Sequence, residues 1–417
     1  MRVAVYPHTL EIGGSQLNAV ELAGAVRDFG CDVVVFGQPG ALQGRIEKLG
    51  LEFVVAPEPR RRPSPAVVRA LCDLVVRRRI DVVHGYEWTT VLEAYWGPRA
   101  RLGTPLVATV MSMAVAPFLP HEVPLVVGTE QIADHERSLG RRRVQVIEPP
   151  VDVDDNAPGV VDPVELASFR SAHGLHPDDF VLTCVNRLAT ELKLEGLLAA
   201  LTAVDALADA DPRLRLLIVG DGPARPVIEE RAAAVNRRAG RAVVVLTGEL
   251  PDPRPAYAVA DVSLGMGGSA LRAMAFGVPL IVQGEQGFWE LLTPQTLDRF
   301  LWTGWYGVGD DPAQGSARLT EAVSRLRSDA ATRAELGQYS RQLAVERFSL
   351  RAAAEKQFQI YRSAMSGVRS PRPEWRSAGA SGLRFARYEV SRRVVRLAGR
   401  GASDDFNARP VAAGKVT

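Results

Sequence analysis

Cysteine is nearly missing from this sequence. Cys31, Cys72 and Cys184 are odd in number and far apart. That pattern excludes a disulfide framework and a paired zinc-ligand motif, and it suits a reducing compartment. No charged segment followed by an apolar stretch opens the chain, so no secretory signal is expected. No apolar run approaches the ~20 residues that a membrane-spanning helix needs. The expected location is cytoplasmic. The first turn also lacks Gly-x-Gly-x-x-Gly with an acidic residue about 20 positions on, which argues against an oxidoreductase. The net charge of +2 argues neither for nor against a polyanion, and nucleic acid is not expected as a partner.

What is present reads as a globular α/β chain. Of the 417 residues, 47% are apolar and 24% charged, a normal globular balance for about two or three domains. Short apolar runs alternate with helical patterns, which predicts parallel sheets. In the first half the runs are residues 2–6, 32–36, 52–55, 81–83, 106–110, 125–127 and 144–147. Most are continuous rather than alternating, as in strands buried on both faces. The segment from Pro149 to Gly159, rich in Pro, Gly, Asp and Asn, breaks the pattern. It then restarts with strands at 180–185, 214–219, 242–246, 262–264 and 280–282. The predicted architecture is two similar Rossmann-like, doubly wound domains facing across a cleft. The first spans residues 1–155 and the second 160–350. A closing helix over 351–366 and a basic tail over 367–417 follow.

Candidate chemistry lies where strands end and helices begin, the place where open parallel sheets bind ligands. Gly13 and Gly14 leave the first strand without Cβ atoms, so backbone N–H groups could approach a ligand, and Ser15 reads as the helix N-cap. A tight turn with no ligand explains the same residues equally well. Arg187 and Lys193 follow the first strand of the second half and suit a diphosphate, one as a planar fork and one as a point charge. Spacing alone would leave them as solvated surface cations. Gly220-Asp221-Gly222 reads as a structural turn, and Asp152 and Asp154 as solvated linker residues rather than a metal site. The richest stretch is Met266-Gly267-Gly268-Ser269, a Gly loop running into a short helix that Gly277 stops. Successive N–H groups at a helix N-terminus form an anion site, aided by the helix dipole.

Taken in order, these motifs resemble the retaining GT-B glycosyltransferases of family 4, over nearly the whole chain to about Met365. Gly13-Gly14 is similar to the family's first-domain Gly-Gly loop. Val185–Gly196 resembles its Gly-Arg-Leu…Lys-Gly motif, with Asn186 for the usual Gly. Val219–Pro223 is similar to its Gly-x-Gly-Pro turn, and Gly248 with Ala256–Asp261 to its base-side region. Arg272–Pro279 resembles its Glu-Ala-Met-Ala-x-Gly-x-Pro segment, and Gly287…Glu290 its Gly-x-x-Glu. The resemblance implies a nucleotide-sugar donor, with no other cofactor and no metal. It implies diphosphate contacts from Arg187, Lys193 and the N–H groups of Met266, Gly267, Gly268 and Ser269. Sugar or ribose contacts would come from Arg272 and Glu290, and an acceptor side from His84, Glu87 and Met111.

The sequence departs from the family at one place. The family's Glu-x7-Glu pair falls on Leu264 and Arg272, neither of which is acidic, and Met111 stands where the family often has His. Phosphate contacts are thus retained while sugar and ribose contacts are altered. Retaining enzymes of this kind are thought to use front-face attack, in which catalysis comes from positioning and from charge stabilisation on the leaving diphosphate.

Two rival functions fit the same fold. A nucleotide-sugar epimerase would need an acid and a base, for which His84, Glu87 and Glu285 are candidates. A nucleotide-sugar-binding protein without turnover would explain the missing carboxylates. Loops 87–90 and 111–121 are expected to choose the acceptor, a small or lipid-linked molecule; Trp88, Met113 and Phe118 would suit an apolar one but could equally close the core. Residues 367–417 hold ten Arg and one Lys against four acidic residues, about +7. Residues 383–397 place Leu383, Val390, Val394 and Leu397 near helical spacing with Phe385 and Tyr388 as aromatic anchors. This pattern suits a peripheral contact with a membrane surface, although a helix packed on the body would read the same.

Overall fold

The computed structural model describes residues 1–7, 9–366 and 375–397. The chain divides into two units: residues 1–149 joined by the described residues from 350 onward, and residues 150–349.

The first unit holds seven strands: β1 (Arg2–Tyr6), β2 (Asp32–Gly37), β3 (Glu52–Val55), β4 (Val82–Tyr86), β5 (Leu106–Val110), β6 (Leu125–Val127) and β7 (Val144–Val146). Their order is β3-β2-β1-β4-β5-β6-β7, and every pairing is parallel. Runs such as Val33-Val34-Val35-Phe36 are buried throughout, because helices cover both faces of a parallel sheet and β-branched side chains pack well there. The chain winds outward from β1 to β3 and then restarts at β4 beside β1. The connections leaving β1 and β4 therefore part in opposite directions and open a crevice beyond their carboxyl ends.

The second unit repeats the plan with β8 (Phe180–Val185), β9 (Leu214–Val219), β10 (Val244–Gly248), β11 (Val262–Gly265), β12 (Leu280–Gln283) and β13 (Trp289–Leu291). The order is β10-β9-β8-β11-β12-β13, so the corresponding crevice lies between β8 and β11. Strand β13 runs antiparallel to β12 and is absent from the sequence reading, since three residues are too few to show a period.

Helix Leu350–Ser366 belongs to the first unit. Its Ala353, Ala354, Ile360 and Tyr361 enter the core formed by Val3, Val5 and the helix Gly14–Arg27, and Phe358 stacks on Phe29 at 6.0 Å. Burying Ile360 and Tyr361 contributes roughly 1.5–3 kcal/mol each. A last helix, Trp375–Leu397, packs on the same unit. Phe385 and Tyr388 meet Phe118 at 5.3 and 5.0 Å and Trp88 at 6.0 and 6.2 Å. Ser381 Oγ donates to the Phe118 carbonyl at 2.5 Å. This corrects two expectations. Phe385 and Tyr388 are not free anchors but the docked face of the helix, and Trp88 and Phe118 bury their rings against it. The remainder of the basic tail lies outside the described residues.

Candidate active site

In the second unit, the turn after β8 is fixed by the turn after β9. Leu188 N–H donates to the Asp221 carbonyl (2.9 Å), Ala224 N–H to the Leu188 carbonyl (2.8 Å) and Asn186 N–H to the Val219 carbonyl (3.0 Å). The approach is so close that a Cβ on Gly220 would sit 1.9 Å from the Asn186 carbonyl oxygen, at a φ of +134° that favours glycine. Gly220 and Gly222 are structural, as expected of this turn, and they hold the segment that carries Arg187 and Lys193.

Arg187 is exposed and no ion pair holds it among the described residues. Lys193 is half-buried, and burial lowers its ammonium to about 8, with only the neighbouring Cys184 acting against the shift. No carboxylate partners it among the described residues. It also occupies the N-cap of the helix Leu194–Leu207, where a cation opposes the helix dipole and supplies no acceptor for the free N–H groups. Two further buried atoms near it have no partner: Asn186 Oδ1 and Gln283 Oε1. Gln283 Nε2 donates to the Lys193 carbonyl at 3.1 Å. A cation placed against local preference, among unsatisfied acceptors, is expected at a ligand site.

Strand β11 is hydrogen-bonded to β8 and delivers Met266–Ser269 to the same edge. The helix Gly268–Ala275 starts from Gly267, whose φ of +56° lies in the left-handed region. Here one expectation is corrected: Gly267 N–H donates to the Trp305 carbonyl at 3.0 Å and is not available to a phosphate. The N–H groups of Gly268 and Ser269 begin the helix and have no carbonyl four residues back to bond. Ser269 Oγ donates to the Met266 carbonyl at 3.0 Å. Arg272 folds back toward this end, its Nη1 lying 3.8 Å from the position a Cβ on Gly268 would take. Leu264 is fully buried in the core. Glu290 lies on the edge strand β13, opposite Val282 of β12, and pairs with Arg299 at 2.6 Å.

The first unit gathers a different set. Glu87, the residue after β4 and the first of the helix Glu87–Ala94, is buried and has a φ of +64°, a region non-glycine residues seldom occupy. Its Oε1 accepts from Ser15 Oγ (2.9 Å) and Met111 N–H (3.0 Å), and its Oε2 from Ser112 Oγ (2.7 Å). The crevice between β1 and β4 therefore brings Ser15, Glu87 and Met111 together beside Gly13 and Gly14. Ser15 is not the N-cap: that position falls two residues earlier, on Gly13, and the helix begins at Gly14, while the Ser15 hydroxyl donates to Glu87 instead.

His84 is corrected more sharply. It is the third residue of β4, paired with Val5 on one side and Val107 on the other. Its Nδ1 lies 2.7 Å from Tyr361 Oη and its Nε2 2.7 Å from Thr109 Oγ1. Full burial lowers its pKa to about 3. It is a neutral core residue that ties the closing helix to the sheet, and it cannot serve as an acid or base for a substrate. Of the other epimerase candidates, Glu285 accepts the Tyr306 hydroxyl and Glu87 is held as described.

One cluster escaped sequence reading altogether. Glu93, fully buried, accepts from Tyr6 Oη (2.6 Å), Arg62 Nη1 (2.9 Å) and Ser64 N–H (2.8 Å), and Arg62 Nη2 donates to Gln38 Oε1 (2.8 Å). These residues come from four separate segments and follow no motif. Glu195 also went unnoticed; it accepts the N–H groups of Gln286 and Gly287 at 3.1 and 2.7 Å and braces the loop after β12. Among the described residues no group of His, Cys, Asp and Glu is placed to hold a metal ion.

Comparison with known proteins bears on both halves. Residues 13–151 match the model of the glycosyl transferase 4-like domain, and residues 179–329 that of the glycosyl transferases group 1. The 2-deoxystreptamine glucosyltransferase of Streptomyces kanamyceticus is 30% identical over 337 residues, covering 68% of this chain and 84% of that protein. This chain belongs to the group 1 glycosyltransferases. The D-inositol 3-phosphate glycosyltransferase of Thermobispora bispora is 27% identical over 410 residues, covering 87% of this chain and 92% of that protein. In fold, the glycosyltransferase matches an enzyme of Rickettsia africae with a TM-score of 0.67 at 16% identity, over 88% of this chain and 98% of that one. It matches the Anabaena HepE structure in complex with UDP with a TM-score of 0.65 at 16% identity, over 87% and 100%. The fold is thus that of the GT-B glycosyltransferases.

Proposed function

We propose that this enzyme transfers a hexose from a nucleoside-diphosphate sugar, with retention and without a resident cofactor, to a hydroxyl of a small polyhydroxylated six-membered carbocycle. The two relatives above are named for a phosphorylated inositol and for 2-deoxystreptamine, and both acceptors are such rings. The observation that carries the donor reading is Lys193, a half-buried cation with no carboxylate partner among the described residues, in the segment that follows β8, the strand hydrogen-bonded to β11, which leads into the helix Gly268–Ala275.

The chemistry follows from charge. Breaking the bond between the anomeric carbon and the diphosphate oxygen builds negative charge on the diphosphate. Lys193, Arg187 and the helix N-terminus would stabilise that charge, more strongly as water is excluded. The acceptor oxygen forms its bond on the face the diphosphate leaves, and the departing diphosphate takes the acceptor proton. In the first unit Glu87, held by Ser15, Met111 and Ser112, would fix the crevice in which an acceptor hydroxyl lies.

The test is a matrix of nucleotide sugars against inositol phosphates and 2-deoxystreptamine, read by release of nucleoside diphosphate and by proton NMR of the product. Acceptor-dependent release with the donor's anomeric configuration kept is the expected result. Release independent of acceptor would refute acceptor selection, and an inverted product would refute retention.

A further inference from the structure

We propose that the outer face of the helix Trp375–Leu397 docks this enzyme on an anionic lipid surface. The proposal is independent of which acceptor the enzyme uses. The docked face of the helix is defined by Ser381, Phe385 and Tyr388. At about 100° per residue, Leu383, Val390 and Val394 fall on the opposite side. They are 56%, 59% and 59% exposed, high values for aliphatic side chains aligned in one stripe. Arg387 lies in the same stripe, and Arg384 and Arg393 flank it; all three are exposed.

Charge selects the occupant. Residues 375–397 carry six Arg and one Glu. The whole chain carries +2 and residues 367–417 about +7, which leaves residues 1–366 at about −5. The basic charge is concentrated in this part of an otherwise acidic sequence, and the described helix carries six of its Arg, so an anionic surface attracts the enzyme through the helix. Aliphatic side chains can enter the acyl boundary while long Arg side chains reach back to headgroups in the same plane. No helix among the described residues is long and apolar enough to cross a membrane, so this helix lies on the surface.

The experiment uses the full-length protein, because truncation would strip Phe385 and Tyr388 from Phe118 and Trp88. Co-sedimentation is measured with phosphatidylglycerol-containing vesicles and with phosphatidylcholine vesicles. The parent should pellet with the first and not the second. Leu383→Ser/Val390→Ser/Val394→Ser should abolish pelleting. Arg387→Gln/Arg393→Gln should lower partitioning roughly thirtyfold, at about a fivefold loss per basic residue. Arg384 is spared because it donates to the Pro117 carbonyl at 3.2 Å. Circular dichroism and turnover should match the parent in both variants. Three results would overturn the proposal: no pelleting of the parent with anionic vesicles, equal pelleting with neutral ones, or variants that pellet like the parent. A parent that dimerises in the ultracentrifuge, and becomes monomeric in the triple variant, would assign the stripe to self-association instead and also overturn it.

Discussion

The two units share a strand order up to their edges, yet they treat buried charge in opposite ways. Next to its crevice the first unit satisfies its carboxylates: Glu93 has three donors and Glu87 three. At the matching crevice the second unit leaves Lys193 without a carboxylate and leaves Asn186 Oδ1 and Gln283 Oε1 without donors. A satisfied network holds one geometry, whereas unsatisfied groups lower stability until a ligand pairs them. The first unit therefore presents a fixed wall at its crevice, and the second holds a cation with no carboxylate partner among the described residues, which the proposed donor diphosphate would pair.

The strongest way to break this contrast is to remove a partner from the first unit. Glu93→Ala leaves Arg62 and the Tyr6 hydroxyl without their shared acceptor and should cost about 3–5 kcal/mol, the usual penalty for breaking a buried pair. Urea unfolding with no loss of stability would show that the network is ornamental. Next comes acid. His84 is neutral in the fold, with a pKa depressed to about 3, and titrates near 6.5 when unfolded. The unfolded chain therefore binds the proton first, and stability contributed by His84 falls as pH drops from about 6.5 toward 3. The expected size is several kcal/mol, and His84→Gln should flatten that part of the curve. An unchanged pH profile in the variant would mean that other groups govern acid unfolding.

The second unit should respond with the opposite sign. Lys193→Met removes a half-buried charge with no carboxylate partner among the described residues, so stability should rise by about 1–3 kcal/mol while nucleoside-diphosphate affinity falls by about 1.5–3 kcal/mol. In the parent, affinity should decline as pH rises through about 8, because the ammonium is lost earlier than in an ordinary lysine. Calorimetry that shows affinity unchanged in the variant would remove Lys193 from the site. Gly268→Val sharpens the distinction between turn and ligand loop. Outside its own helix and chain neighbours, the only atom within 4 Å of a Cβ there is Nη1 of the flexible Arg272, at 3.8 Å, so the fold should persist while the branched side chain obstructs phosphate approach. A fall in melting temperature with normal nucleotide binding would reduce Gly268 to a turn residue. The smallest effect is expected at Arg272, where Arg272→Glu should change which donor sugars bind by less than tenfold; identical selectivity would show that its charge does not read the donor.

Much of the fold was readable because buried parallel strands are continuous apolar runs. β1, β3, β5, β6, β8 and β9 lie where the runs predicted. The errors have definite causes. The run at 81–83 hid three further strand residues, since His84 and Gly85 break an apolar pattern that the sheet continues to Tyr86. Placing His84 past the strand end made a core residue look available for chemistry. Ser15 looked like a cap because caps are assigned by residue type, whereas the helix start is set by the extended backbone of Gly13, two residues earlier. The paired aromatics of the last helix looked like membrane anchors because periodicity defines a face without saying what it meets.

Sequence by itself determined the alternation of strands and helices, the doubling of the unit and the Gly and cation motifs at strand ends, because each is written within a few neighbouring residues. Tertiary structure decided which polar groups are satisfied. Glu93 is joined to Tyr6 and Arg62 across 87 and 31 positions of chain, and His84 to Tyr361 across 277. Hydrogen bonds over such separations exist only after the sheet and its helices have been assembled. The same is true of the absence of a partner at Lys193, which is a property of everything that packs around it.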